Sequence, residues 1–203
     1  MRTLVFASSN VGKIAELKAL LGDAWLVKSA ADFPSIPEVD EDRDTFEGNA
    51  AKKAHTFAKA TGAWALADDS GLEVDALGGR PGVYSARYAP TVEERNQKLL
   101  GELQGVADPQ RTARFRCVLC LAFPDGSERL TSGVCEGRIG HAPKGTHGFG
   151  YDPIFVLPSG KTMAELTRDE KSALSHRGAA FRQMKAVLEE LPLLFRGEGR
   201  GEE

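Results

Sequence analysis

Apolar positions along the chain alternate between short continuous runs and helical stripes. Thr3–Ala7 is a short apolar run that predicts a buried strand. The polar turn SSNVGK (8–13) follows, and Ile14, Leu17, Leu20 and Leu21 then recur at the spacing of an amphipathic helix, with Gly22 at its stop. Trp25–Ser29 predicts a second strand, and the proline- and acid-rich segment 31–44 a loop. Asp44 and Glu47 stand at capping-box spacing before a helix expected to reach Thr61, with Gly62 as stop and Phe46, Ala50, Ala54 and Phe57 as its apolar face. Trp64–Ala67 reads as a short buried strand ending in the turn DDSG (68–71), and GGRPG (78–82) as an irregular loop. Thr91 with Glu94 forms a second capping box ahead of Leu99, Leu100 and Leu103. Ala113–Phe123, the turn PDG (124–126) and Arg129–Glu136 carry the pattern of an antiparallel hairpin, and Ile154–Leu157 is a further strand. Thr167 and Glu170 open a helical stretch extending to about Leu194, with a break near Ser175 and Phe181, Met184, Val187, Leu188 and Leu191 on its later apolar face. Strand–helix alternation followed by a hairpin predicts an α/β fold around a mixed sheet.

Composition narrows the class. A chain of 203 residues with 41% hydrophobic and 27% charged positions suits one generous globular domain. We expect residues 1–195 to form a single two-lobed domain and the polar tail 196–203 to be disordered. The formal charge of −3 argues against a nucleic-acid polymer as partner, because such binders carry a basic face, but it leaves a small nucleotide open. Neither a membrane-length apolar run nor a signal peptide is evident, and the odd cysteine count fits a reducing compartment, so a cytoplasmic location is expected.

Several segments carry chemistry. In SSNVGK, a polar turn between strand and helix exposes backbone N–H groups at the positive end of a helix dipole, a place that binds phosphate. Ser8, Ser9 and Asn10 add hydrogen-bonding groups and Lys13 a charge; the plainer alternative is that Asn10 only caps the helix and Lys13 is solvated. Asp68 and Asp69 directly follow an apolar strand, where two adjacent carboxylates are costly to desolvate without a compensating cation. They either serve a metal and a water or bond turn amides. Glu38 in the acidic loop matters only if the fold brings it beside Asp69, making the carboxylate pair that magnesium favours. Lys53 shares the helix face of Phe46, Ala50 and Phe57, so it either lies along that surface or reaches an anionic group. GFGYDP (148–153) offers close backbone approach and a ring face from Phe149 or Tyr151. Lys171, Ser175, His176 and Arg177 either bind a phosphate or purine edge or are simply solvated. Cys117 and Cys120 sit within one predicted strand, where residues three apart face opposite ways, and no second pair exists to complete a zinc site. His55, His141 and His147 lack metal-ligand spacing.

Taken together, these segments resemble the inosine triphosphate pyrophosphatase family, which removes non-canonical purine nucleoside triphosphates. The likeness runs from SSNVGK to SHRG, and ADDSGLEVDALGGRPGVYSARY is its most specific stretch, followed in order by FGYDPIF and ELTRDEKSALSHRG. The resemblance implies an elongated mixed sheet with flanking helices, two lobes around a nucleotide cleft, and a homodimer. It implies hydrolysis of ITP, dITP and XTP between the α- and β-phosphates. Carried over by position, Ser8, Ser9, Asn10, Val11, Gly12 and Lys13 would hold the triphosphate. Glu38 and Asp69 would share Mg2+. Asp69 would be the catalytic acid/base residue, with Asp68 and Lys53 close by. Ser70, Phe149, Gly150, Tyr151, Asp152, Lys171, Ser175, His176 and Arg177 would bind the nucleotide, the later ones chiefly its base. Two departures stand out: Ser8 replaces a common threonine, keeping the hydroxyl, and Gly48 stands where glutamate is frequent, so no metal role falls there. Competing readings are a pyrophosphatase for other nucleotides, a non-catalytic nucleotide-binding regulator, and an RNA-binding module, the last disfavoured by charge.

Overall fold

The computed structural model describes residues 2–191, the side chains of residues 168, 169 and 172 excepted; the expected disordered tail, 196–203, lies outside the described residues. Eleven elements follow in order: β1 (Arg2–Phe6), α1 (Val11–Leu21), β2 (Trp25–Ser29), α2 (Phe46–Thr61), β3 (Trp64–Val74), α3 (Val92–Glu102), β4 (Thr112–Ala122), β5 (Glu128–Ile139), β6 (Phe155–Val156), α4 (Arg168–Leu174) and α5 (His176–Glu190). The expected mixed α/β architecture is therefore present. The six strands form one sheet in the order β2-β1-β3-β4-β5-β6, with β1 parallel to both β2 and β3 and the remaining pairs antiparallel.

Helix α1 returns the chain from β1 to β2 on one face of the sheet, where Leu17 and Leu21 pack with Leu4, Phe6, Leu66 and the α5 residues Phe181, Met184 and Leu188. Helix α2 returns it from β2 to β3 on the other face, where Phe46, Ala50, Ala54 and Phe57 meet Val5, Ala65 and Ala67. The two crossovers pack on opposite faces, while the parallel strands β1 and β3 run toward the same end of the sheet, and a crevice opens at their carboxyl ends, the place where α/β sheets bind ligands. A third core, built on the distal ends of β3, β4 and β5 with α3, β6 and Tyr151, forms the second lobe.

Two boundaries differ from the sequence expectation. Strand β3 does not stop at Ala67 but runs through DDSG to Val74, because β4 pairs with it residue for residue from Ala65↔Ala122 to Val74↔Ala113. Pairing with a long partner overrides the turn preference of Asp, Ser and Gly. Helix α2 is capped by Thr45, whose side chain accepts from the Gly48 amide, rather than by Asp44, and Glu47 instead pairs with Arg116. The other two boxes, Thr91–Glu94 and Thr167–Glu170, are reciprocal as expected, and the break at Ser175 separates α4 from α5. Cys117 and Cys120 face different cores, one under α5 and the other under α2, as the strand periodicity required.

Helix α5 lies unusually close to β5. A Cβ added at Gly133 would stand 2.0 Å from the His176 carbonyl oxygen and 2.6 Å from the Ala180 nitrogen, both backbone atoms that cannot swing aside. Gly133 thus sets the seat of the helix start that carries His176 and Arg177. Gly133→Ala is expected to cost about 3 kcal/mol, lowering Tm by roughly 5–10 °C. Calorimetry checks this, and an unchanged Tm would show that the helix seat is soft.

Candidate active site

The phosphate-side wall is built by local chemistry at the end of β1. Asn10 caps α1 by accepting from the Lys13 amide at 3.1 Å, and its own amide bonds the Ser8 hydroxyl at 3.2 Å. The first turn of α1 carries no acid, so its positive end stays uncompensated. The plainer alternative holds for Asn10, which is a cap, but not for Lys13, which is not simply solvated and reaches across to Asp68 at 2.7 Å. Val11 is exposed at the helix start. Ser8, Ser9, Lys13, Lys53, Asp68, Arg87 and the segment Glu38–Glu41 line one cavity of about 620 Å³, large enough for a nucleotide's phosphates and sugar.

Beyond Leu66 strand β3 has no β1 beside it, and there Asp68 lines the cavity, whereas Asp69, the next residue, is not among the lining residues. Both carboxylates are buried, with 3% and 6% exposure. Adjacent strand positions send them to opposite faces, and their environments diverge. Burial alone would raise the Asp68 carboxyl, but the charges of Lys13, Lys53 and Arg177 and the hydrogen bond from Lys13 outweigh it and hold the group below the usual carboxylate range. Asp69 has no salt bridge among the described residues. Burial pushes it up to about 6, helped by the nearby Glu41 charge and opposed by the Lys53 charge and by hydrogen bonds from Asn49 at 2.9 Å and the Ser70 amide at 2.8 Å. Lys53 reaches inward, donating to the Asp68 carbonyl and to the Glu41 carboxylate.

Two residues of this wall escaped the sequence reading. Glu38 lines the cavity as expected, but Glu41 is the loop carboxylate that meets Lys53 and whose charge is felt at Asp69. Asn49, fully buried, bridges Asp69 and the backbone amide of Arg43. Its neighbour Gly48 has a local reason: a Cβ there would meet the Arg43 Cβ at 2.9 Å. Among the described residues no group of three or more His, Cys, Asp or Glu side chains forms a metal cage. Magnesium does not need one, since it binds one or two carboxylates and keeps waters and phosphates. A buried carboxylate with no salt bridge among the described residues, near enough to a second carboxylate to feel its charge, fits such an ion.

The base-side wall comes from the second lobe and α5. Phe149 is 65% exposed, with the Lys171 ammonium 4.5 Å from its ring centroid. Asp152, buried, ties this corner together by accepting from the Phe149 amide and pairing with Lys171. Tyr151 offers no ring face, contrary to one of the two options: its ring is in the core and its hydroxyl donates to the Ser85 carbonyl at 2.9 Å. Phe149 is the ring left free to stack. Gly150 turns the loop with φ +62° and presents its carbonyl to Asn96. Ser175 caps α5 through the Gly178 amide, which aims His176 and Arg177 inward. The His176 ring stacks on Phe115, centroids 5.2 Å apart, and burial with the flanking Arg177 and Lys171 charges depresses it to about 3, so the ring is neutral at working pH. His176 Nδ1 and Arg177 Nε are buried without hydrogen-bond partners among the described residues, and so are free to meet a bound molecule.

The Asp69 shift makes a stability prediction. A carboxyl whose folded value is about 6 binds its proton more tightly in the folded chain than in the unfolded one, at 3.8. Its contribution is therefore best at low pH and is lost as pH rises from about 4 to 6. In metal-free protein, the stability of Asp69→Asn relative to the parent should improve by about 3 kcal/mol between pH 4 and pH 7. Urea titrations at the two pH values measure this, and a pH-independent difference would mean an ordinary carboxylate.

With the geometry in place, comparison with known proteins identifies the family. The Ham1 family model matches residues 4–187. A dITP/XTP pyrophosphatase of Shouchella clausii is 52% identical over 193 residues, 93% of this chain and 98% of its own. Another of that name from Streptomyces coelicolor is 49% identical over 94% of this chain and 99% of its own. The solved structure of a HAM1 protein from Coxiella burnetii superposes with a TM-score of 0.89 at 45% identity, over 94% of this chain and 100% of that one. The resemblance read from the motifs is borne out, and the chain belongs to the Ham1 family.

Proposed function

We propose that this protein hydrolyses non-canonical purine nucleoside triphosphates, dITP, ITP and XTP, to the monophosphate and pyrophosphate. The observation that carries the reading is the meeting of two walls on one buried carboxylate. Asp68 pairs with Lys13 of the phosphate-side turn at 2.7 Å and feels the charge of Arg177 on the base-side helix, which supports a site that takes a phosphate tail and a purine together. The names of the relatives, dITP/XTP pyrophosphatase, support it.

The chemistry follows from the residues. Water attacks the α-phosphorus in line, the bond to the bridging oxygen breaks, and the electron pair leaves with pyrophosphate. Asp69 orients the water and takes its proton, a task suited to a carboxyl raised toward neutral pH. Asp68, held ionised, anchors Lys13 rather than acting as base. Lys13 and Lys53 stand ready to stabilise charge on the departing group. Glu41 and Asp69, with Glu38 on the same wall, would hold magnesium, which neutralises phosphate charge when bound. At the other end, Phe149 stacks on the base, and the Arg177 Nε–H meets a 6-keto acceptor. An adenine 6-amino group would leave that donor unpaired, and a site built this way discriminates strongly. We further propose that the enzyme acts as a homodimer on the cytoplasmic nucleotide pool. Among the described residues no helix is long and apolar enough to cross a membrane.

Pyrophosphate release with magnesium, measured in parallel on dITP, XTP, ATP, GTP and dTTP, tests the reading. Turnover of dITP and XTP should exceed the rest by about 100-fold or more in kcat/KM. Asp69→Asn should lower kcat roughly a thousandfold. Equal turnover of all five would overturn the specificity, and no turnover of any would overturn the activity.

A further inference from the structure

Asn49 is fully buried and has both ends of its side chain engaged. Its Nδ2 donates to Asp69 Oδ2 at 2.9 Å, and its Oδ1 accepts from the Arg43 backbone amide at 2.9 Å. The first bond fixes one carboxylate oxygen of Asp69, while the Ser70 amide holds the other at 2.8 Å. The second bond fixes the acidic segment two residues after Glu41. One helical turn further along α2, Lys53 donates to the Glu41 carboxylate and to the Asp68 carbonyl. Lys52 donates to the Asp40 carbonyl at 2.9 Å, and Arg87 to the Glu41 carbonyl at 2.6 Å. These last ties come from exposed or half-buried side chains and hold the loop from outside. Asn49 alone among them touches both the loop that carries Glu41 and the carboxylate of Asp69.

We infer that Asn49 is a positioning residue: its single amide couples the Glu41 loop to Asp69 and sets the separation and facing of the two carboxylates that receive the divalent ion. This rests on the metal-assisted reading of the cleft. Carboxylate oxygens oriented by a buried amide lose little freedom on binding a cation, whereas the same pair without the tether must be ordered by the ion itself. Groups that hold metal ligands in place in this way typically govern metal affinity or activity by about 10- to 100-fold. The effect should fall on metal binding and kcat and leave nucleotide binding alone, because among the described residues the Asn49 side chain bonds only Asp69 and the Arg43 amide.

The test uses the full chain, with Mn2+ as the probe, its free fraction read by electron paramagnetic resonance in the absence of nucleotide. Asn49→Ala, and the volume-conserving Asn49→Leu as a guard against a misfolded alanine variant, should weaken Mn2+ binding by about 10-fold or more. At saturating metal, kcat for dITP should fall by a similar factor while the nucleotide KM stays within about twofold. Parent-like Mn2+ binding and kcat in a folded variant would overturn the role of Asn49 and leave the proposed activity standing. Asn49-dependent Mn2+ binding in a parent that releases no pyrophosphate would uphold the coupling and sink the catalytic reading. A parent that binds no Mn2+ would overturn the inference outright, whatever its activity.

Discussion

Everything in the cleft depends on two neighbouring carboxylates that the sheet forces into the interior. Strand β3 is paired with β4 along its whole length, so Asp68 and Asp69 cannot turn out to water as they would in a loop. Burying a charge is tolerable only with compensation. For Asp68 the compensation is internal, from Lys13, Lys53 and Arg177, drawn from three helices. For Asp69 it is incomplete, a pair of hydrogen-bond donors with an opposing carboxylate nearby. That asymmetry separates an anchor from a reactive group, the usual way in which two like residues acquire different tasks.

The anchor also brings two helices to one point. Lys13 starts from α1 and Arg177 from α5, helices packed on the same core, and both act on one side chain. The base-side wall is rigid for ordinary packing reasons: His176 is stacked on Phe115, Tyr151 is locked to the Ser85 carbonyl, and Gly133 lets α5 sit against the sheet. Under the proposed function, such preorganised donors would discriminate between purines, because an unmatched partner leaves them unpaired. The exposed ring of Phe149 leaves an apolar surface of that corner open to solvent.

Much of this was legible along the chain. The helices announced themselves by stripe and cap, and α1, α2, α3 and α5 lie where periodicity put them. The inward direction of Lys53 followed from its place on the apolar face of α2, and the opposite facing of Cys117 and Cys120 from strand alternation. Motif order exposed the family and with it the candidate residues. Some local signals misled. DDSG reads as a turn but is strand, and Asp44 reads as a cap but Thr45 caps. In each case a residue's local preference lost to a partner distant in sequence or to the geometry of the next residue.

The sequence by itself determined the elements and their polarity, which follow from spacing within a few residues, and the candidate groups for phosphate and base, which followed from motif order. Only the tertiary structure decided which of the many acidic residues matter. Glu38, Asp40, Glu41, Asp42 and Asp44 are equivalent in a linear reading of an acidic loop. The tethers from Asn49, Lys52, Lys53 and Arg87 single out Glu41 as the one held against Lys53 and felt at Asp69. The reason is physical: a carboxylate's role is set by what surrounds it, and these surroundings are assembled from helix α2, strand β3 and the segment after it, which meet only when the sheet has formed.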